Sequence, residues 1–145
     1  RIGHATRLIE DITVSDDDPT EVVNMGYLAQ YILDKRIPLE ICLTSNVDTG
    51  AVKRIAEHPF RILHRYKFRV TLNTDDRLMS NTTMTKEFMI AQAAFKLTMH
   101  DLEILTINAM KSAFIPYKKR IGLIFNVIKP GYEKQRGTSR KTKNT

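Results

Sequence analysis

Residues 68–76, Phe68-Arg69-Val70-Thr71-Leu72-Asn73-Thr74-Asp75-Asp76, alternate apolar with polar side chains for six positions and then deliver two adjacent carboxylates. A period of two predicts a strand, and the polar residues after it a loop at the strand's C-terminal end. Upstream, Ile37-Pro38-Leu39-Glu40-Ile41-Cys42-Leu43 is a second short apolar run, giving way to the polar loop Thr44-Ser45-Asn46. The opening Arg1-Ile2-Gly3-His4 has the character of the end of a third strand.

Helical signals fill the intervals. Asp18-Pro19-Thr20-Glu21 offers an N-cap carboxylate, a proline at the first helical position and a returning glutamate. A helix is expected from there, with Val23, Tyr27, Leu28, Tyr31 and Ile32 on one stripe and Lys35-Arg36 at its cation-favouring end. Asp48 to Glu57 and Pro59 to Tyr66 fit two short helices burying Val52, Ile55, Phe60 and Leu63. Phe88, Ala91 and Phe95 recur at helical spacing between Met84 and Lys96, and Thr98-Met99-His100-Asp101 is a capping box for a helix to about Ala113. Pro116 opens a last amphipathic helix with Ile121, Ile124, Phe125 and Ile128 on one face, ended by Pro130-Gly131.

Strands alternating with helices imply an α/β fold with a parallel sheet. Three strands cannot close a barrel, but about three βα units plus terminal helices match the C-terminal part of a (β/α)8 TIM barrel. The expected organisation is a barrel segment over residues 1–132 and a basic, disordered tail over 133–145. The truncated strand at Arg1 suggests a fragment whose missing N-terminal part supplies the rest of the barrel.

Composition narrows the function classes. With 145 residues, 42% of them hydrophobic and 27% charged, disorder throughout is excluded. No run approaches the roughly 20 apolar residues of a membrane helix, and no secretory signal opens the chain, so no membrane partner is expected. Cys42, the single cysteine, cannot form an internal disulfide, which suits a cytoplasmic location. The net charge of +7 is mostly tail: residues 129–145 hold six bases and one acid, leaving 17 bases and 15 acids before them. A nucleic-acid-binding module resting on that tail is the alternative class. It lacks tryptophan and any interleaving of basic with aromatic residues, so a nucleic-acid partner is not expected.

Parallel strands place their C-terminal ends on one rim, where barrel enzymes carry their chemistry. Here those ends carry Gly3-His4, Ser45-Asn46 and Asp75-Asp76. An imidazole and two carboxylates at one rim can bind a metal, exchange protons with a substrate, or both. Each also has a structural reading, the histidine as a packed side chain and Asp-Asp as a turn with a cap. Ser45 and Asn46 are expected to hold loops. His58, as a helix-entry residue, His64 and His100 on helices, and Cys42 inside a strand are expected to be structural.

Four motifs in register resolve this. Arg-Ile-Gly-His at 1–4, Pro-Leu-Glu-Ile-Cys-Leu-Thr-Ser-Asn at 38–46, His-Pro-Phe at 58–60 and Val-Thr-Leu-Asn-Thr-Asp-Asp at 70–76 together resemble the adenosine deaminase family, in its bacterial branch. The likeness continues through Met84-Thr85-Lys86-Glu87-Phe88 and Asn108-Ala109-Met110-Lys111-Ser112-Ala113-Phe114 and covers nearly all of residues 1–132. It implies a zinc-dependent barrel that hydrolyses adenosine and 2'-deoxyadenosine, its purine nucleoside substrates, to the inosines and ammonia. By the resemblance Asp75 is a zinc ligand that also accepts a proton from water, and Asp76 hydrogen-bonds the purine ring. His4 is the catalytic residue that orients the activated water and stabilises its charge. Ala5, Leu43 and Arg77 depart from a glycine and two prolines common in the family, which leaves a deaminase of adenine or a modified nucleoside as the alternative substrate reading. The family's remaining metal histidines and its glutamate general acid are expected before Arg1, so residues 1–145 alone are expected to be inactive.

Overall fold

The computed structural model describes residues 1–141, with side chains to residue 137. It divides into two units, Arg1–Lys96 and a second beginning at Leu97. The first runs β1 (Ile2–Gly3), a 3-10 turn (Thr6–Asp11), β2 (Ile12–Val14), β3 (Val22–Met25), α1 (Tyr27–Asp34), β4 (Leu39–Ile41), α2 (Leu43–Asp48), a 3-10 turn (Ile55–Glu57), α3 (Phe60–Arg65), β5 (Val70–Leu72) and α4 (Met84–Phe95). The second runs α5 (Met99–Ser112), α6 (Tyr117–Leu123), a π turn (Ile124–Ile128) and α7 (Lys129–Lys141).

β1, β4 and β5 form a parallel sheet in that order, with Ile2 beside Leu39 and Leu39 beside Val70. The expected α/β architecture is therefore present, and its strands lie where the alternation placed them. Leu39, Ile41, Val70 and Leu72 are buried, and so is Thr71 between the last two. Burial on both faces is the habit of parallel sheets covered by helices, and Thr71 meets it by donating its hydroxyl to the Leu39 carbonyl at 3.2 Å. Leu43, Phe60, Leu63 and Ala91 complete the core of this unit, and the Phe60 and Phe95 rings lie 4.8 Å apart. Val52 is buried as expected, whereas Ile55 is only half-buried.

The segment after Asp18 departs from expectation. It is no helix start: Asp18 Oδ1 accepts from the Thr20 N–H at 2.8 Å and the Thr20 hydroxyl at 2.7 Å, closing a turn instead. The chain then returns as β3, antiparallel to β2 with a bulge between Thr13 and Val14. Branched Val22 and Val23 favour that extended conformation, and the Tyr66 hydroxyl accepts the Val22 N–H at 2.7 Å. The helix begins only at Tyr27, where the Asp11 carboxylate accepts the Ala29 N–H at 2.7 Å. Gly26 is required at this junction, because a Cβ there would run into the Asp11 carboxylate. Of the expected stripe only Ile32 is buried, while Val23, Tyr27, Leu28 and Tyr31 are exposed.

Two other boundaries shift. Thr44-Ser45-Asn46 is not loop but the interior of α2, and the helix expected over Asp48 to Glu57 is reduced to the second 3-10 turn. In the second unit the capping box forms as read, Thr98 Oγ1 accepting from the Asp101 N–H while the Asp101 carboxylate accepts from the Thr98 N–H at 2.8 Å. Pro130-Gly131 does not end the last helix. The π turn at Ile124–Ile128 widens the backbone just ahead of Pro130, which relieves the clash its ring would make with the carbonyl of residue 126. Helix α7 therefore carries on through residues 133–141, where the sequence suggested disorder, and residues 142–145 lie outside the described residues. Part of the tail's charge is engaged internally, Arg136 pairing with the buried Glu103 of α5. Among the described residues no helix is long and apolar enough to cross a membrane.

Candidate active site

The parallel register brings three strand ends to one rim. β1 stops at Gly3 and the His4 N–H continues the ladder to the Glu40 carbonyl at 2.8 Å, while the Asn73 N–H does the same to Ile41 at 2.8 Å. Beyond the ladder the chain turns sharply: His4, Ala5 and Asp75 all have positive φ, at 60°, 50° and 55°. None is glycine, and left-handed backbone at such residues costs on the order of 1 kcal/mol each, a strain that collects at functional sites.

These turns aim His4 and Asp75 at each other. His4 Nε2 stands 3.7 Å from Asp75 Oδ2, too far for a hydrogen bond and near enough for both to hold one small group. The Ser45 hydroxyl donates to the same Oδ2 at 2.8 Å. Both side-chain contacts of Asp75 thus fall on Oδ2, leaving Oδ1 available to a cation. Asn46, on the next position of α2, holds His4 from behind, its Nδ2 2.9 Å from His4 Nδ1. Asp76 does not join this cluster. Its Oδ1 accepts from the N–H groups of Leu78 and Met79 at 3.1 and 3.2 Å, the turn-and-cap geometry, and the residue is exposed.

One donor set could hold a metal among the described residues: His4, Cys42 and Asp75 each offer an atom within 4.8 Å of the others. Cys42 is the poor member. Burial, then the negative charges of Asp75, Glu87 and Glu40, push its thiol up to about 12, so without a metal it stays protonated and is no nucleophile. It lies just past β4, at the N-cap of α2, rather than inside the strand as expected. Asp75 offers an oxygen donor, whereas a catalytic zinc needs about three protein ligands. The residues present fit one part of such a site.

His58 is more than the helix-entry residue its position before Pro59 predicts. It is 2% exposed, accepts the Phe60 N–H on Nδ1 at 2.9 Å, and places Nε2 3.0 Å from Asn46 Oδ1. His58-Pro59 ahead of a helix was the available signal; the contact to Asn46, twelve positions earlier, had none. Burial pushes its imidazole down from 6.5 to about 4. As pH falls through 6.5 the unfolded chain takes up this proton, while the folded chain resists until about 4. Stability therefore drops on acidification across that window. Between pH 7 and 4.5 the wild type is expected to lose about 2 to 3 kcal/mol more than His58→Gln in urea unfolding. Equal losses in the two proteins would contradict it.

The sequence and fold match known proteins over nearly the whole of this chain. The adenosine deaminase family model matches residues 1–130. The chain is 55% identical over 132 residues to an adenosine deaminase of Mycobacterium sp. (strain JLS), covering 91% of this chain and 36% of that protein. Among solved structures it is similar to Arabidopsis ADAL complexed with IMP, at TM-score 0.71 and 26% identity, covering 92% of this chain and 34% of that one. It shares the fold of an amidohydrolase from Burkholderia ambifaria with bound Zn, at TM-score 0.74 and 17% identity, covering 95% of this chain and 35% of that one. The chain spans about a third of the length of the curated relatives it matches.

Proposed function

This chain belongs to the adenosine deaminase family, and on that premise we propose that the whole protein hydrolyses adenosine and 2'-deoxyadenosine to the inosines and ammonia. The observation that carries the reading is the approach of His4 to Asp75 at the rim where three parallel strands end. Water replaces the amino group at the purine carbon, so the site must hold a water, take a proton from it and stabilise the charge left on its oxygen. Asp75 takes the proton, and Ser45 keeps the carboxylate aimed by bonding Oδ2. His4 faces the same space from the opposite side and stabilises the oxygen. Asp76 contacts the purine ring through the oxygen its turn leaves over.

Zinc is the metal assigned to Asp75, supported by the oxygen donor and by the zinc held in a protein of the same fold. When bound it supplies a water of lowered pKa. We assign the further ligands to the rest of the protein, so this stretch by itself is expected to leave adenosine unchanged. The single buried thiol supports a reducing, cytoplasmic setting.

The test is the fall in adenosine absorbance as inosine forms, with the full-length, zinc-loaded protein. Turnover supports the reading. Zinc bound without turnover of adenosine or 2'-deoxyadenosine contradicts it, and the same assay with adenine and AMP then identifies the amine-bearing purine used instead.

A further inference from the structure

We propose that Asn46 and His58 form a positioning relay that fixes the His4 imidazole in the tautomer carrying its proton on Nε2, the nitrogen that faces Asp75. The inference rests on the deaminase reading of the site for its catalytic meaning, and on geometry alone for its structural content.

The relay starts from a group with no choice. A backbone N–H can only donate, and that of Phe60 donates to His58 Nδ1 at 2.9 Å. His58 Nδ1 is therefore an acceptor, and the neutral ring carries its proton on Nε2. That N–H lies 3.0 Å from Asn46 Oδ1 and donates to it. The carbonyl end of the amide is thereby committed to His58, and the NH2 end faces His4 Nδ1 at 2.9 Å, where it donates. His4 Nδ1 must accept, so the His4 proton sits on Nε2.

No step can be reversed alone. Turning the Asn46 amide over would set its NH2 against the His58 Nε2–H, and relieving that by moving the His58 proton would set it against the Phe60 N–H. Asn46 is 1% exposed and His58 2%, so water does not repair a broken link. The low proton affinity of the buried His58 ring supports its neutral state.

The consequence is a division of roles. With its proton on Nε2, His4 offers a hydrogen bond toward the space it shares with Asp75 and has no lone pair there to take a proton. Proton acceptance falls to Asp75, and His4 stabilises charge. Asn46 and His58 act through His4 and are positioning residues.

The experiment uses the full-length, zinc-loaded protein with nitrogen-15 in its histidines, the His4 signals being assigned by their loss in His4→Ala. In the wild type, His4 is expected to show a protonated-type shift at Nε2 and an unprotonated-type shift at Nδ1. Asn46→Asp substitutes an acceptor for the donor, and is expected to move the His4 proton to Nδ1 and lower kcat by at least about tenfold with KM little changed. His58→Gln keeps an N–H for Asn46 and is expected to retain both the shift pattern and most of kcat, whereas His58→Phe loses both. A wild-type His4 protonated on Nδ1 overturns the relay without any variant having to fold. So does an Asn46→Asp protein that loses kcat with its His4 shifts unmoved, or equal behaviour of the Gln and Phe variants. Because the shifts are read without substrate, a protein that fails to deaminate adenosine overturns the deaminase reading and leaves the relay standing or falling on its own signals.

Discussion

Asp75→Ala in the full-length protein is expected to reduce deamination by at least about 1,000-fold, equivalent to about 4 kcal/mol of transition-state stabilisation. Bound zinc is expected to fall with it, while the unfolding midpoint changes little. The asymmetry follows from the site. The Asp75 side chain is 44% exposed, so removing it opens no enclosed cavity. It accepts the Ser45 hydroxyl and faces His4, and the proposed function adds to these an oxygen for the metal and a base. Alanine also tolerates the positive φ of this position less well than aspartate, so a small destabilisation accompanies the loss. Asp75→Asn separates the two effects: asparagine accepts the same backbone, keeps an oxygen for Ser45 and lacks the charge. Near-normal turnover in Asp75→Asn would remove Asp75 as the base, and undiminished zinc in Asp75→Ala would remove it as a ligand.

The parts of this fold that the sequence announces are those whose signals are local. β5 is an alternating run bounded by its own loop, and the Thr98 to Asp101 box satisfies its hydrogen bonds within four residues. Asp18-Pro19-Thr20-Glu21 is equally local and equally suggestive, yet its carboxylate closes a turn on Thr20. What decided the matter was a pairing with β2 several residues upstream, through a bulge that no periodicity displays. Pro130-Gly131 misleads for a related reason, since the π turn that accommodates the proline has no composition of its own. At the site, His4 and Asp75 follow from topology once the strands are placed, because parallel strands end on the same rim. The links behind them do not. That Asn46 faces His58 depends on how α2 and the turn before α3 are buried together, and Asn46 looks like any polar residue following a strand.

Glu87→Ala is expected to be the most destabilising single change in the first unit, by about 3 to 5 kcal/mol in urea unfolding of the full-length protein. Glu87 lies near the N-terminus of α4 and is completely buried, with no cation among its hydrogen-bond partners. Its carboxylate instead gathers three donors: the Thr44 N–H at 3.3 Å, the Thr44 hydroxyl, and the Thr82 hydroxyl at 2.7 Å. Truncation leaves the buried Thr82 hydroxyl without its acceptor, removes that of the half-buried Thr44 donors and opens a void, and each effect alone costs on the order of 1 kcal/mol or more. The damage reaches the chemistry as well. Thr44 precedes Ser45, which aims Asp75, and Thr82 closes the loop that Asp75 begins, so Glu87 ties together the two segments whose ends form the candidate site. Turnover should therefore fall along with stability, and by more than the unfolded fraction explains. Glu87→Gln retains one acceptor oxygen but turns an NH2 toward a donor, and should lose about 1 to 2 kcal/mol, between the wild type and alanine. If Glu87→Ala unfolds within about 1 kcal/mol of the wild type, the three donors have found other acceptors and the carboxylate is not what holds these loops.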